Sequence, residues 1–574
     1  MANINQTPRA QVQKGYSGFD LSHSIRFSSS TGMLLPVMYD LLYPNDKINL
    51  GAALATRTMD IDSAAFADIY EHLDFFFVPL TQIYSFFDSF IYGIQDINTS
   101  LGFCDDGEHN IISQFPMLSV RDIASNLRQT MADHETSDSS YLYSSITDDF
   151  GLPLWANVLR LNDLLDLGLP FAHSDTQVEI LDNPSGFVPY GLNLSLLCAY
   201  QKIYMDYYRD SNYFANNANC YNLDRFKGAV SSDFDIDYIK DFFTLRYRRY
   251  ENDFFTNRYP TPLFNGSDPS ALDQSVEEFV NSVTGTEFGV DSNNASVTYA
   301  DLGIDHIMNS SDTRAQFALE KFLEVNRRVS KHYDSLTKAR FGVSPNDLLS
   351  GEVLYLGSHD STIQIRDVVS TAATEHAALG EIGGKGYGAS HSRNISFKAP
   401  CHGILMCIYS SSPRAFYDLS HGVNRINSYH FKDDYFTPEF DNLGMQMFDA
   451  RIYDSRSSGI LGWQYRYSET KQKINKNTGA FLDSLHYWTT QKDVLQSDDF
   501  VTGRFNLVSP YDLDNIMLVP FRPTNDNTIS YNDENDYTPN QNIKNMYDRD
   551  PLIHELVFSY KKFSKQNVYS LPSL

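Results

Sequence analysis

Between residues 246 and 250 the chain reads Arg-Tyr-Arg-Arg-Tyr, the best interaction signal in the sequence. Guanidinium groups track a phosphate backbone and phenol rings stack on unpaired bases. Arg246, Tyr247, Arg248, Arg249 and Tyr250 therefore suit single-stranded nucleic acid. The competing reading is that these arginines pair with acidic side chains at contacts between subunits. Further basic clusters stand at Arg327, Arg328 and Lys331, and at Lys561, Lys562 and Lys565.

Covalent and metal chemistry find little support. The glycine run from Gly383 to Gly388 contains Gly-Lys-Gly but lacks the spacing of a phosphate-binding loop. It reads as a flexible connector. There is no G-x-S-x-G nucleophile elbow and no H-E-x-x-H. His359-Asp360 and His332-Tyr333-Asp334 are local pairs with no partner nucleophile, and read as turn or interface residues. Carboxylates are numerous, yet no glycosidase-type pair stands out. The acidic stretch from Asn525 to Asp536 offers hard oxygen ligands without the EF-hand template, and reads as a solvated loop. The five cysteines, Cys104, Cys198, Cys220, Cys401 and Cys407, are odd in number and irregularly spaced, which supports neither a disulfide framework nor a zinc site. Reduced thiols in a cytoplasm are the simplest reading. No catalytic residue, metal or cofactor is expected.

Composition points the same way. Hydrophobic residues make up 42% of the 574 and charged residues 20%, enough apolar material for a substantial core. The 37 Tyr and 39 Phe stand against 3 Trp. Tyrosine buries its ring while its hydroxyl stays wet, a property that subunit interfaces favour. The net charge of −27, from 45 basic and 72 acidic residues, argues against a surface that grips nucleic acid everywhere. It leaves room for a local basic face or a separate basic partner. Residues 1–10 lack an apolar signal core. The window from Phe75 to Ile94 is broken by Pro79, Gln82, Asp88 and Gly93, so it is a poor membrane span. A soluble protein made in the cytoplasm is expected.

The elements that must position these residues can be sketched from periodicity. Residues 1–30 are polar and read as an extended arm. His72-Leu73-Asp74-Phe75-Phe76-Phe77-Val78-Pro79 reads as a buried strand stopped by a proline that cannot extend a central ladder. Helical spacing appears at Asn157–Leu167, at Leu192–Arg209 and from Asp312 through Leu336. Strand patterns follow at Ser361–Val369, Ile395–Ala399, Gly403–Ser410 and Leu552–Tyr560. Stretches near 100–150, 265–311 and 523–550 are polar and read as surface insertions. Strands separated by long excursions predict an antiparallel sandwich with helical insertions, not a doubly wound sheet.

Several segments together resemble the major capsid protein of the Microviridae, the small single-stranded DNA phages, and its gokushovirus-like lineages in particular. They are Phe19-Asp20-Leu21-Ser22-His23, then Gly32-Met33-Leu34-Leu35-Pro36-Val37, then Asp74 to Pro79. Ala199 to Tyr204 with Tyr207-Tyr208-Arg209-Asp210 continue the series, followed by Arg340-Phe341-Gly342-Val343 and Tyr355-Leu356-Gly357. Gly462 to Tyr467 and Leu482 to His486 complete it. Each motif alone is weak, and their shared order is what carries the resemblance. It implies a mainly β chain, an eight-stranded antiparallel jelly roll of the viral capsid type, forming one domain over residues 31–574 with the insertions named above. It also implies self-assembly into a T=1 icosahedral shell around circular single-stranded DNA, in a virion put together in a bacterial cytoplasm. The implied partners are a small basic internal DNA-binding protein, a pilot protein and a host receptor, without a membrane. Residues 265–311 stand roughly where such lineages carry a threefold protrusion, though the segment is modest in length. The alternative is a carbohydrate-binding protein or glycosidase on a β-sandwich, because tyrosine-rich surfaces also stack on sugar rings.

Overall fold

The triple-phenylalanine block lies in the middle of a strand that is buried on both faces. The computed structural model describes residues 15–92, 115–120, 154–169, 191–224, 236–261, 351–369, 382–441, 444–456, 459–492, 503–517 and 550–566, with shorter runs between them. Its frame is eight long strands: β1 (His23–Ser29), β2 (Leu35–Leu42), β3 (Lys47–Thr58), β4 (Ile69–Pro79), β5 (Leu354–Val369), β6 (Ile382–His391), β7 (Gly403–Pro413) and β8 (Leu552–Ser564). They pair antiparallel as β1-β8-β3-β6 and as β2-β7-β4-β5. The two halves join where the second part of β5 leaves β4 and pairs with β6. Two four-stranded sheets so connected and curled on themselves make the jelly roll, and the chain is mainly β.

Residue alternation decides which face each strand buries. Along β8 it is strict: Leu552, His554, Leu556, Phe558 and Tyr560 point inward, while Ile553, Glu555, Val557 and Lys561 face outward. A strand with one wet face shows this pattern. In contrast, β7 is buried at every position, and β4 at every position but Tyr70. Phe77 meets Phe397 of the opposite sheet, with ring centroids 5.1 Å apart. Phe76 points the other way, edge-on to Tyr208 at 5.9 Å. That outer face is covered by the long excursion between β4 and β5. It contains α1 (Leu154–Leu165), α2 (Ser195–Ile203), α3 (Ile236–Phe243) and α4 (Tyr333–Phe341). Helix α2 packs on β4 and β7, and α1 packs on β2. Pro79 ends β4 and leads into a helical turn, Leu80–Ile83.

Several expectations are corrected here. The glycine run is no flexible connector: Gly383 to Gly388 lie within β6. The glycines serve close approach. A Cβ on Gly384 would lie 2.0 Å from the Ser63 carbonyl oxygen, and one on Gly386 would lie 2.4 Å from Thr58 Cγ2. The described part of the arm, 15–30, is also in the sheet, with Ser17–Asp20 and β1 both paired to β8. The expected Leu192–Arg209 helix is α2 continued by a π-helical turn, Tyr204–Tyr208. The start of the helix expected from Asp312 lies outside the described residues. So do residues 265–311, and nearly all of 100–150 and 523–550.

One end of the barrel interior is polar. Glu71 Oε1 accepts from Thr56 Oγ1 and from Tyr409 OH at 3.0 Å, and Oε2 accepts from Ser361 Oγ at 3.0 Å. His554 places Nδ1 2.9 Å from Thr56 Oγ1 and Nε2 2.8 Å from Ser29 Oγ. Burial raises the Glu71 carboxyl above its ordinary value despite the hydrogen bonds. Burial also pushes the His554 imidazole down to about 3. The 3.6 Å approach of His554 Nδ1 to Glu71 Oε1 therefore joins a neutral ring to the carboxyl and is no ion pair.

Two expected outcomes follow. Gly384→Ala must displace backbone and should cost about 2 kcal/mol or more, read as a lower Tm. Unfolded, His554 titrates near 6.5, so unfolding takes up a proton below that pH and stability falls as pH drops toward 3. Glu71 has the opposite sign: its contribution is present below 4.5, its unfolded value, and fades as pH rises through the raised folded value. His554→Gln should therefore flatten the acid limb of a Tm-against-pH curve. Between pH 6.5 and 4.5 the unsubstituted chain should lose ~2–3 kcal/mol more than the variant.

Candidate interaction surfaces

Residues 246–250 form an extended strap between two other segments. Leu34 N donates to Arg246 O at 2.9 Å, and Arg248 N donates to Gly32 O at 2.7 Å. On the other side Val508 N donates to Arg248 O at 2.8 Å, and Tyr250 N donates to Asn506 O at 2.9 Å. In this extended strap Tyr247 lies on the side opposite Arg246 and Arg248. Tyr247 is 1% exposed and packs edge-on to Phe150, with centroids 4.6 Å apart. Tyr250 is 5% exposed and donates its hydroxyl to Asp512. Burial, with Asp512 alongside, holds its phenol well above the ordinary range. Base stacking by these two rings is corrected: both are buried within the chain, and the Lys492 ammonium lies 3.7 Å over the Tyr250 ring.

The arginines are half-buried and engaged within the chain. Arg246 Nε donates to Gln201 Oε1 at 2.7 Å, and its guanidinium lies 4.8 Å from the Tyr204 ring centroid. Arg248 Nη1 lies 3.1 Å from Asp74 Oδ2, which also accepts from Tyr208 OH at 2.6 Å. Arg249 Nη1 lies 3.2 Å from Asp210 Oδ2. Asp74 projects from the covered face of β4, and Arg248 is its cation. The expected pairing with carboxylates occurs, but inside one chain. Of the other basic clusters, Lys562 points inward and reaches Asp40 Oδ2 at 2.9 Å, while Lys561 and Lys565 are exposed. Arg327, Arg328 and Lys331 lie outside the described residues, as do Cys104, His332 and the 525–536 stretch.

The remaining local pairs are structural. Asp360 Oδ1 lies 2.7 Å from His72 Nδ1 across β5 and β4. Cys198, Cys220 and Cys407 are buried and Cys401 is partly buried, and no two of these four are joined in a disulfide. No group of three or more His, Cys, Asp or Glu among the described residues is arranged to hold a metal ion. No described helix is long and apolar enough to cross a membrane.

A second surface is one the sequence did not single out. Between β7 and β8 a small lobe has its own core, in which Tyr417, Phe448 and Phe505 pack with Phe254 and Phe255 from the β4–β5 excursion. Over it lie the hairpin Met445–Asp449/Ile460–Tyr465 and the turns from Arg425 to Asp434. This lobe leaves Phe431 71% exposed, Tyr435 60%, Phe436 59% and Ile426 53%. Large apolar side chains this exposed and this close in the chain mark an association surface. The overall aromatic content was the only signal for it.

Arg248→Ala should cost ~3 kcal/mol by leaving the buried Asp74 carboxylate without its cation. In Asp74→Asn/Arg248→Ala much of that stability should return, measured by denaturant unfolding of both variants.

Comparison with known proteins agrees with the architecture. The family model described as "Capsid protein (F protein)" matches residues 188–532, which hold the strap, β5 to β7 and the aromatic lobe. Capsid protein VP1 of Chlamydia phage 1 is 25% identical over 208 residues, 33% of this chain and 35% of that protein. The alignment therefore spans about a third of that relative's length. With a jelly roll, a lobe of exposed aromatics and a family match over more than half of its length, the chain belongs to the phage F capsid protein family, the Microviridae capsid proteins its motifs resemble, and its role is structural.

Proposed function

We propose that this chain assembles with copies of itself into a closed T=1 icosahedral shell around circular single-stranded DNA. The observation that carries the self-association is the aromatic lobe. Phe431, Tyr435 and Phe436 are each more than half exposed on a body whose own core is already filled. Buried at symmetric contacts, such rings are the anchors that dominate association energy. The acidic balance of −27 supports a shell that leaves most charge neutralisation to a small basic internal protein. A pilot protein and a host receptor are the other partners of this reading. Assembly in a bacterial cytoplasm suits a chain whose four described cysteines form no disulfide with one another.

Phe431→Ser combined with Phe436→Ser is expected to leave the circular dichroism spectrum and Tm of the subunit unchanged while abolishing particles in sedimentation and electron microscopy. Closed shells from this variant would refute the assignment of the lobe.

A further inference from the structure

The two sheets are treated differently by the rest of the chain. The β2-β7-β4-β5 sheet is roofed by helices, but no described element packs on the outer face of β1-β8-β3-β6. There Ile553, Val557 and Tyr387 are 47%, 45% and 44% exposed. Register places the charges of this face. At one end stand Arg26, Arg57, Arg366 and Lys385, and at the other Lys47, Lys398 and Lys561. Among the described residues three carboxylates stand at the face: Glu555, held by Arg26 at 2.8 Å, Asp20 opposite Lys561, and Asp60, 3.6 Å from Lys385 Nζ. Seven cations to three anions stand on this face of a chain with 45 to 72 overall. No described carboxylate lies within ion-pair distance of Arg57, Arg366 or Lys398.

Between the two basic ends the face is floored by small residues, Ala53 and Ala55 on β3 and Ala389 on β6, while Asn394 covers Gly51. An open basin of about 990 Å³ lies at the arginine end, lined by Arg26, Arg57, Tyr387 and Ile553 together with two carboxylates already paired, Glu555 to Arg26 and the buried Asp550 to Arg160. Tyr387 is the register neighbour of Arg57, so an exposed ring stands beside an unpaired guanidinium. From Arg57 to Lys47 the track along β3 is roughly 33 Å.

Resting on the reading that the shell encloses single-stranded DNA, we infer that this bare sheet face is the surface that binds it. Its cations follow the phosphates, and a base stacks on Tyr387 over the small-residue floor. The charge complementarity selects a polyanion. The lysines at one end are poor material for a protein–protein contact.

The test uses the full chain and a labelled oligothymidylate titrated at several salt concentrations, together with the absorbance ratio of purified shells. Arg57→Glu/Arg366→Glu/Lys398→Glu should weaken binding at least ~tenfold and flatten the salt slope by about 0.7 for each phosphate no longer neutralised. Its shells should form but be poor in nucleic acid. Arg57→Lys/Arg366→Lys should keep most of the affinity. Tyr387→Ala should weaken binding ~tenfold with the salt slope unchanged. Equal affinity and slope in the triple-Glu variant, with clear binding by the unsubstituted chain, would overturn this inference and leave DNA enclosure standing. No binding by the unsubstituted chain would overturn both. Loss of self-association with DNA affinity intact would make the face a subunit contact and overturn the inference alone.

Discussion

Strands β4 and β7 pair over eleven residues, from Ile69 against Pro413 to Pro79 against Gly403, and almost no side chain of either reaches water. A sheet centre buried on both faces must satisfy each polar atom it carries from within the protein. Two carboxylates of β4 show what this demands. Glu71 faces the barrel interior and collects hydroxyls from β3, β5 and β7. Asp74 faces the helices and collects Tyr208 from the end of α2 and Arg248 from the strap. The strap in turn is fixed by Gly32 and Leu34 on one side and Asn506 and Val508 on the other. Burying that strand pair thus draws together segments hundreds of residues apart.

The same constraint divides labour between surfaces. The helices that roof β4 and β7 take the chain's strongest Arg/Tyr motif as packing material. Among the described residues the opposite sheet carries no helical roof and keeps a face with a charge sign contrary to the whole molecule. A third region, the lobe between β7 and β8, holds the exposed rings. A capsid subunit has to meet neighbours while enclosing a cargo, and these regions differ in chemistry along those lines.

Legibility in the sequence followed the range of the interactions involved. The phenylalanine block, Gly403–Ser410 and Leu552–Tyr560 announced themselves because an apolar run or a period of two is a local pattern. Glycines 383–388 misled, since flexibility and close approach use the same residue and only the position of Ser63 distinguishes them. The arginines at 246–250 misled for a related reason. Their partners Asp74, Asp210 and Gln201 lie 35 or more positions away, and nothing local shows that a guanidinium is already paired. The bare basic face was illegible because its members sit on five strands and two short flanking segments. No two of them are adjacent in the chain, and only register assembles them. Lys561 and Lys562 show the point most simply: neighbours in sequence, one faces solvent and the other reaches Asp40 through the sheet.

Strand β8 lies between β1 and β3, with partners on both edges for much of its length. It is the last described strand of the jelly roll, yet it occupies a central slot in its sheet. During translation β1 and β3 leave the ribosome more than 490 residues before their common neighbour. Until β8 arrives they have a gap between them and no shared ladder, and Arg160 of α1 lacks Asp550 at the strand's threshold. The sheet therefore closes only after residues 552–564 have been made. A chain that stops short of Leu552 lacks the strand that joins β1 to β3, so the order of the strands makes an intact sheet a mark of a chain translated through β8.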